Sequence, residues 1–332
     1  MNDDLRLAIG SADGFGGRYP LRQSRHYSEA FADAVNQRLL TSGAISPGRA
    51  ENDLHHANWP YLASVCWPAA DQRCLLDLAC LAAALAIRDH EYDTDASAKA
   101  IGWAQAARTD LHSGFRLTSE PRWGPVFAQI WESLAAYTPA PVMARLAAAI
   151  DRLLSGCVTD YERRLRHDTY ADLEDYLTIR RHTIGQPIDQ VMCEISLGTG
   201  VQEHILTHPL TQHLLATDVD ATIVAYDVMS LGRKLAQNDR ENIVTIMADL
   251  RNCTLEEALH AAEDLYTELM ETYDLAHAAL RSSPLATHPD LPGLLQALHD
   301  FNSGLLAWTT GSIRYTHATH AQWPAPDAWV PA

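Results

Sequence analysis

The sequence predicts an all-α protein that folds as a single domain. Apolar residues recur at helical spacing in most segments of the 332-residue chain, and 47% of its residues are apolar, enough for a large core. No alternating run of β-branched residues between Asn-Gly or Asp-Gly turns indicates a strand, and no repeat or low-complexity linker divides the chain. We expect one helical domain over residues 20–316, between a loose N-terminal segment at 1–20 and a tail at 317–332.

The first half of the chain contains three predicted helices. In residues 75–86, leucine and alanine repeat at helical spacing and lead into Asp89. Pro141 stands near the first turn of a long amphipathic helix over 143–166, a position where proline is tolerated. Residues 171–177 begin another helix with acids in its first turn, where negative charge is favourable.

The second half continues the helical pattern in residues 218–237, 254–281 and 291–309. Thr254 followed by Glu257 has the spacing of a capping box, in which each side chain accepts a hydrogen bond from the other residue's backbone N–H. This spacing predicts that the middle helix of the three begins at Thr254.

Composition and charge exclude two classes of function. The formal net charge of −17 and the pI near 5.3 leave no basic stripe for nucleic acid. The acidic start of the chain is unlike a secretory signal, and the longest apolar run, 74–87, is interrupted by Asp77 and too short to span a bilayer. Six scattered cysteines favour reduced thiols over disulfides. We expect a cytoplasmic protein with no membrane anchor and no nucleic-acid partner.

Two carboxylates at the end of the apolar helix form the first candidate site. Asp89 and Asp93 stand four residues apart, so their side chains project from one helix face toward a common point. Two convergent carboxylates suit a hard cation such as Mg²⁺, which also takes phosphate oxygens as ligands. Glu91 is two residues away from each and points elsewhere. The alternative for an isolated pair is a solvated acidic helix end.

The region from Trp67 through this helix to Asp93 resembles the bacterial class I terpene synthases. Their aspartate-rich motif, usually Asp-Asp-x-x-Asp, comes after a similar helix; here His90 takes the second place, while Asp89 and Asp93 keep the first and last. The resemblance implies an antiparallel helical bundle with a deep apolar cavity, and Mg²⁺ on the two acids as the cofactor. It also implies that these acids bind the diphosphate of a linear isoprenyl substrate, and it makes Tyr92 a pocket residue.

A second segment, 176–185, is similar to the part of the family that carries a diphosphate-sensing arginine before a helix break. We choose Arg181 as the sensor and keep Arg180 as the alternative diphosphate ligand, with the break at Ile184 and Gly185. A guanidinium suits this role because it stays charged when desolvated and matches phosphate oxygens with a fork of donors. An arginine pair alone would indicate only a solvated helix end.

A third segment lies near the C-terminus. Arg314 and Tyr315, shortly after Trp308, match the arginine–tyrosine pair that closes the family's active site. The resemblance implies that both side chains donate hydrogen bonds to the diphosphate. Trp308 is predicted to line the pocket or, equally, to be a core residue.

The last segment departs from the family pattern. Family members carry Asn, Ser and Glu at four-residue steps as ligands of one Mg²⁺. Residues 235–244 resemble the stretch immediately C-terminal to this triad in the family, and they place Tyr226, Ser230 and Lys234 at the three positions. Only the serine matches. In an alternative register, Asp227 takes the Asn position and two leucines take the others, which would remove the site.

Helical geometry offers a partial repair of this segment. Asp227, Ser230 and Lys234 fall on one helical stripe, so Asp227 could replace the missing asparagine as a metal ligand beside Ser230. Lys234 cannot bind Mg²⁺ as an ammonium, but its charge could sit where a cation meets the diphosphate. Arg233 occupies the place of a basic residue that contacts the same group. The alternative is a helix that has lost its metal function.

The resemblance implies cyclisation of farnesyl or geranylgeranyl diphosphate with release of diphosphate, through an altered second metal site. Two alternatives remain open from the exchanged ligands. One is a non-catalytic protein that binds an isoprenoid or another apolar ligand on the same scaffold, and the other is a relative that acts on a modified diphosphate. A homodimer is implied by the resemblance only.

Overall fold

The protein is helical throughout the residues that the structure describes. The computed structural model describes the backbone of residues 18–43, 45, 51–93, 98–111 and 122–315, and the side chains of all of these except 51–53, 90–93 and 98–99. No strand occurs in these ranges, which confirms the predicted all-α class. The predicted segments 1–20 and 317–332 lie almost wholly outside them. None of the helices in these ranges is long and apolar enough to cross a membrane.

Thirteen α-helices make up this part of the chain, with a π-helical turn at Glu51–His56 and a 3₁₀ turn at Pro284–Thr287. The α-helices are α1 (Glu29–Thr41), α2 (Trp59–Cys66), α3 (Gln72–Asp93), α4 (Ala98–Leu111), α5 (Gly124–Ala135), α6 (Ala140–Arg166), α7 (Leu173–Thr183), α8 (Gln186–Ser196), α9 (Glu203–Leu206), α10 (Pro209–Ala236), α11 (Ile243–Arg251), α12 (Leu255–Ser282) and α13 (Asp290–Gly311).

Most helix boundaries follow local sequence signals. The capping box at the start of α12 is present, because the Thr254 side chain accepts from the Glu257 N–H and the Glu257 carboxylate accepts from the Thr254 N–H. Helix α10 starts nine residues before the predicted 218–237, at Pro209. The ring of Pro209 suits the first helical turn, and the His208 side chain accepts a hydrogen bond from the Leu210 N–H.

Helix α10 is the central element of the fold. Nearly all of its residues from Thr217 to Lys234 are buried, on every side of the helix. It packs most extensively on α12 and also contacts α7, α8, α11 and α13. Polar residues in this stretch are therefore surrounded by protein, and each must find a partner inside the fold or face an internal cavity.

Helices α13 and α2 pack with their backbones in close contact. A Cβ atom added at Gly304 would lie 2.4 Å from the backbone oxygen of Val65, so only glycine allows this approach. The indole N–H of Trp308, further along α13, donates to the Ala57 carbonyl oxygen at 2.5 Å. These contacts fix α13 and the segment after it against the start of α2.

Candidate active site

A large cavity lies among helices α2, α3, α7, α8, α10 and α13. Its volume is about 1100 Å³, counting the open space at its mouth, which is at the upper end of the roughly 300–1000 Å³ of ordinary ligand sites. Most of the wall is aliphatic or aromatic. The apolar lining consists of Trp59, Leu62, Trp67, Ala82, Leu85, Ala86, Leu153, Ile184, Ile188, Met192, Phe301, Leu305 and Trp308.

Four cationic side chains also line the cavity: Arg180 from α7, Arg233 and Lys234 from α10, and Arg314 from the segment after α13. Three of these positive charges, all but that of Lys234, act on the phenol of Tyr226, which lines the same wall. The cations therefore form one cluster around Tyr226, which we call the cationic cluster. Such a cluster in a largely apolar cavity suits a ligand with an anionic head and a hydrocarbon body.

Arg180 is held in the cationic cluster by Asp227. Its Nη2 donates to Asp227 Oδ1 at 2.9 Å and its Nε donates to the same oxygen at 3.2 Å. Its Nη1 also donates to the Thr183 hydroxyl at 3.4 Å. Although burial acts to lower it, the pKa of Arg180 is raised by the Asp227 carboxylate, so the guanidinium stays charged inside the protein.

The carboxylate of Asp227 is fully committed to structural partners. It is buried, and besides Arg180 it accepts hydrogen bonds from the Tyr176 hydroxyl and, at 3.0 Å, from the Ile243 N–H at the start of α11. It does not line the cavity. The prediction that Asp227 replaces the missing asparagine as a metal ligand is therefore corrected, because its oxygens face α7 and α11.

Arg181 points away from the cavity. Its Nε and Nη2 donate to Asp220 at 2.7 and 2.9 Å, and it also pairs with Glu174 near the surface. The adjacent arginines therefore differ in partner and position. This placement runs against the choice of Arg181 as the sensor and favours the alternative, Arg180.

The break between α7 and α8 falls at the predicted residues. Helix α7 ends at Thr183, Ile184 caps it, and Gly185 has a φ of +84°, a backbone conformation that favours glycine. Both Ile184 and Gly185 line the cavity beside Arg180. The break redirects the chain so that α8 forms the next part of the cavity wall.

Tyr226, at the position where the family has asparagine, is bonded to the C-terminal pair. The Tyr315 hydroxyl donates to the Tyr226 hydroxyl at 2.9 Å, and Arg314 Nε donates to the Tyr315 hydroxyl at 3.2 Å. Burial acts to raise the pKa of Tyr226, but Arg314, Arg233, the Tyr315 hydrogen bond and Arg180 together lower it. The pKa of Tyr315 is raised by burial and by Tyr226.

The other two triad positions also lack an available metal ligand. Ser230 is buried outside the cavity lining, and its hydroxyl donates to the Asp227 carbonyl oxygen one turn earlier at 3.3 Å. Lys234 Nζ donates to Asp239 at 2.6 Å and lines the cavity. Arg233 Nη1 donates to Gln237 at 3.2 Å, while its Nε is buried without a partner among the described residues. This wall presents cations where the family presents metal ligands.

The opposite wall offers one described carboxylate to a metal ion. Asp89, on α3, lines the cavity and accepts a weak hydrogen bond from the Cys157 thiol at 3.9 Å. Helix α3 continues to Asp93, but the side chains of His90, Glu91, Tyr92 and Asp93 lie outside the described residues. Among the described side chains, no three His, Cys, Asp or Glu groups converge on one point. The fit to a divalent metal is thus confined to the α3 side.

Asp189, one turn beyond Gly185 on α8, was not singled out in the sequence. It lines the cavity between Ile188 and Met192, and its pKa is raised to about 8 by burial and by the neighbouring Asp218 carboxylate. The only sequence signal is an acid on the apolar face of an amphipathic helix. No family motif marks it.

The fold and this cavity define an all-helical protein built to enclose an apolar ligand with an anionic head, and sequence comparison names the family. Residues 80–272 match the family model described as terpene synthase family 2, C-terminal metal binding. The chain belongs to the terpene synthase family. The match covers α3 through most of α12, and with them most of the cavity wall.

Individual relatives are distant. The chain is 25% identical over 200 residues to sesquiterpene synthase Agr3 of Cyclocybe aegerita, covering 60% of this chain and 56% of that protein. It is 22% identical over 297 residues to sesquiterpene synthase 1 of Postia placenta, covering 90% of this chain and 85% of the relative. The first match thus spans little more than half of that relative's length.

The fold is that of solved terpene synthases. The crystal structure of germacradien-4-ol synthase from Streptomyces citricolor superposes with a TM-score of 0.71 at 20% identity, over 90% of this chain and 98% of that one. At this identity the likeness establishes the class I terpene synthase fold, and the chemistry must be argued from the residues of the cavity.

Proposed function

We propose that the protein is a terpene cyclase that ionises a linear isoprenyl diphosphate, closes the resulting carbocation into a ring and releases diphosphate. The observation that carries this proposal is the cationic cluster at one side of an apolar, aromatic-lined cavity. The relatives named as sesquiterpene synthases make farnesyl diphosphate the first substrate to test, with geranylgeranyl diphosphate as the second.

The diphosphate binds to the cationic cluster in this proposal. Arg180, fixed by Asp227, takes the sensor role that the sequence had assigned to Arg181. Arg233 has a buried Nε without a partner among the described residues, and Arg314 reaches the same space beside Tyr226. These fixed charges stabilise the negative charge that develops on the leaving diphosphate, and stabilisation at that point lowers the ionisation barrier.

Asp89, with Asp93 on the next turn of α3, would hold Mg²⁺ on the opposite side. The ion, when bound, would neutralise diphosphate oxygens and favour departure of the leaving group. On the α10 side, Lys234 and Arg233 supply positive charge where the family places a second set of metal ligands. The chain itself therefore provides part of the charge compensation.

The apolar wall guides the hydrocarbon chain after ionisation. The faces of Trp59, Trp67, Phe301 and Trp308 line the cavity, and aromatic faces attract cations through their quadrupoles. A tightly apolar cavity also excludes water, which would otherwise capture the carbocation as an alcohol. Binding and positioning by these side chains set which carbons meet.

Diphosphate release tests the proposal. Purified protein is incubated with each substrate and Mg²⁺, and both diphosphate and volatile products are measured. We expect cyclic products from the wild type and their loss in Asp89→Ala. Asp220→Ala serves as the matched control, because Asp220 pairs with Arg181 outside the cavity and its loss should leave release unchanged. No release from either substrate by the folded wild type contradicts the proposal.

A second candidate function is binding of an isoprenoid without turnover. The absence of available metal ligands at Tyr226, Ser230 and Lys234 favours it, since that wall is complete without an ion. Calorimetry separates the two: tight binding of farnesyl diphosphate in EDTA, with no release when Mg²⁺ is added, favours the binding protein. A panel of prenylated and cyclic diphosphates tests for a relative with a modified substrate, and light scattering tests for a homodimer.

A further inference from the structure

Asp189 is a carboxyl group on the hydrocarbon-facing part of the cavity wall. It lies on α8 with Ile188 and Met192, both of which line the cavity with it. Among the described residues, its carboxyl group takes part in no hydrogen bond and no ion pair. A carboxyl without a partner on such a wall weakens the fold, so a structural role does not account for it.

The charge that this region can carry is placed on a neighbour. Asp218 on α10 accepts hydrogen bonds from the side-chain amides of Gln186 at 2.6 Å, Gln190 at 2.8 Å and Asn302 at 2.9 Å. Three donors favour the ionised form of Asp218, whereas Asp189 has none. The Asp218 charge and burial both raise the pKa of Asp189, to about 8, so its carboxyl keeps its proton at neutral pH.

We propose that Asp189 is a proton-transfer residue of the cyclisation, delivering a proton to a neutral olefin intermediate and taking another back to form the product. This inference rests on the proposed terpene cyclase function. Its basis is an unpartnered carboxyl that faces the cavity, beside a second carboxyl that is fully hydrogen-bonded. The group lies where the hydrocarbon part of the ligand must go.

The step balances without any further reactant. An early carbocation loses a proton to the departed diphosphate and becomes a neutral cyclic olefin. The O–H bond of Asp189 then breaks while the π electrons of the olefin form a new C–H bond, which leaves a carbocation and a carboxylate. The carboxylate removes a proton from a carbon next to that cation, the C–H electrons become the final double bond, and Asp189 is neutral again.

The test follows hydrogen from solvent into the product. Wild type, Asp189→Asn, Asp189→Glu and the control Asp220→Asn are incubated in D₂O with Mg²⁺ and farnesyl or geranylgeranyl diphosphate, and products are analysed by mass spectrometry. We expect one solvent deuterium in the product of the wild type, of Asp189→Glu and of the control. Asp189→Asn should release diphosphate within about threefold of the wild-type rate but yield the early olefin without deuterium.

Two results would overturn the inference alone: a wild-type product without deuterium, or the same deuterated product from Asp189→Asn. Failure of the wild type to release diphosphate overturns the proposed function together with it. An infrared difference spectrum between wild type and Asp189→Asn at pH 7 gives a readout without substrate. It should contain the C=O band of a protonated carboxyl, and its absence counts against the inference even if a variant folds poorly.

Discussion

Replacing Asp227 by asparagine should destabilise the protein strongly, because this residue holds Arg180 inside the fold. The carboxylate accepts hydrogen bonds from Tyr176, from two nitrogens of Arg180 and from the Ile243 N–H. Breaking a buried ion pair from one side leaves an uncompensated charge, which costs about 3–5 kcal/mol. Since small domains are stable by only about 5–15 kcal/mol, the change removes a large part of the stability.

Urea unfolding measures this cost, with Asp220→Asn as the matched control. Asp220 pairs with the adjacent arginine, Arg181, but nearer the surface, so its replacement should cost at most about 1 kcal/mol. Adding Arg180→Met to Asp227→Asn should recover about 2 kcal/mol, because the unpaired charge is gone. The measurement is made in EDTA. A loss below about 1 kcal/mol there, rising only with Mg²⁺, would refute this reasoning and restore Asp227 as a metal ligand.

Four further outcomes are expected from the same contacts. Arg180→Lys should lower diphosphate release by roughly 10²–10³-fold while Arg181→Lys leaves it nearly unchanged, and equal losses would contradict the placement of the two arginines. Lys234→Glu should raise the Mg²⁺ concentration needed for half-maximal release, whereas an unchanged requirement would show that Lys234 contributes no charge to the site. Gly304→Ala should lower the melting temperature, costing about 1–3 kcal/mol, since the added Cβ meets the Val65 carbonyl; an unchanged melting temperature argues against that close contact. Because the pKa of Asp189 is raised from 3.8 to about 8, the wild type should lose stability relative to Asp189→Asn as pH rises from about 4 to 8, and parallel urea profiles would rule this out.

The sequence predicted the fold well because helical periodicity is a local property. Spacing of apolar residues and the capping box at Thr254 marked helices that the structure contains. The early start of α10 at Pro209 was missed because its first turns alternate polar and apolar residues without a clear apolar face. Local pattern therefore identified the elements better than their ends.

The sequence predicted the site less completely because it could not tell which side of a helix faces the cavity. Neighbouring residues on a helix point about 100° apart, so only packing decides between Arg180 and Arg181, or between Tyr226 and Asp227. Helix α10 is buried on all sides, and its apolar pattern therefore names no inward face. Asp189 belongs to no motif, and only the tertiary structure shows that it lines the cavity.

The most direct test of the central claim is a stopped assay of diphosphate release and hydrocarbon product from the same incubation of wild type with farnesyl or geranylgeranyl diphosphate. The account predicts that Mg²⁺ is required, that one substrate gives a cyclic hydrocarbon, and that diphosphate appears in equal amount. Release without any cyclic product, or tight binding with no release in the presence of Mg²⁺, would contradict it.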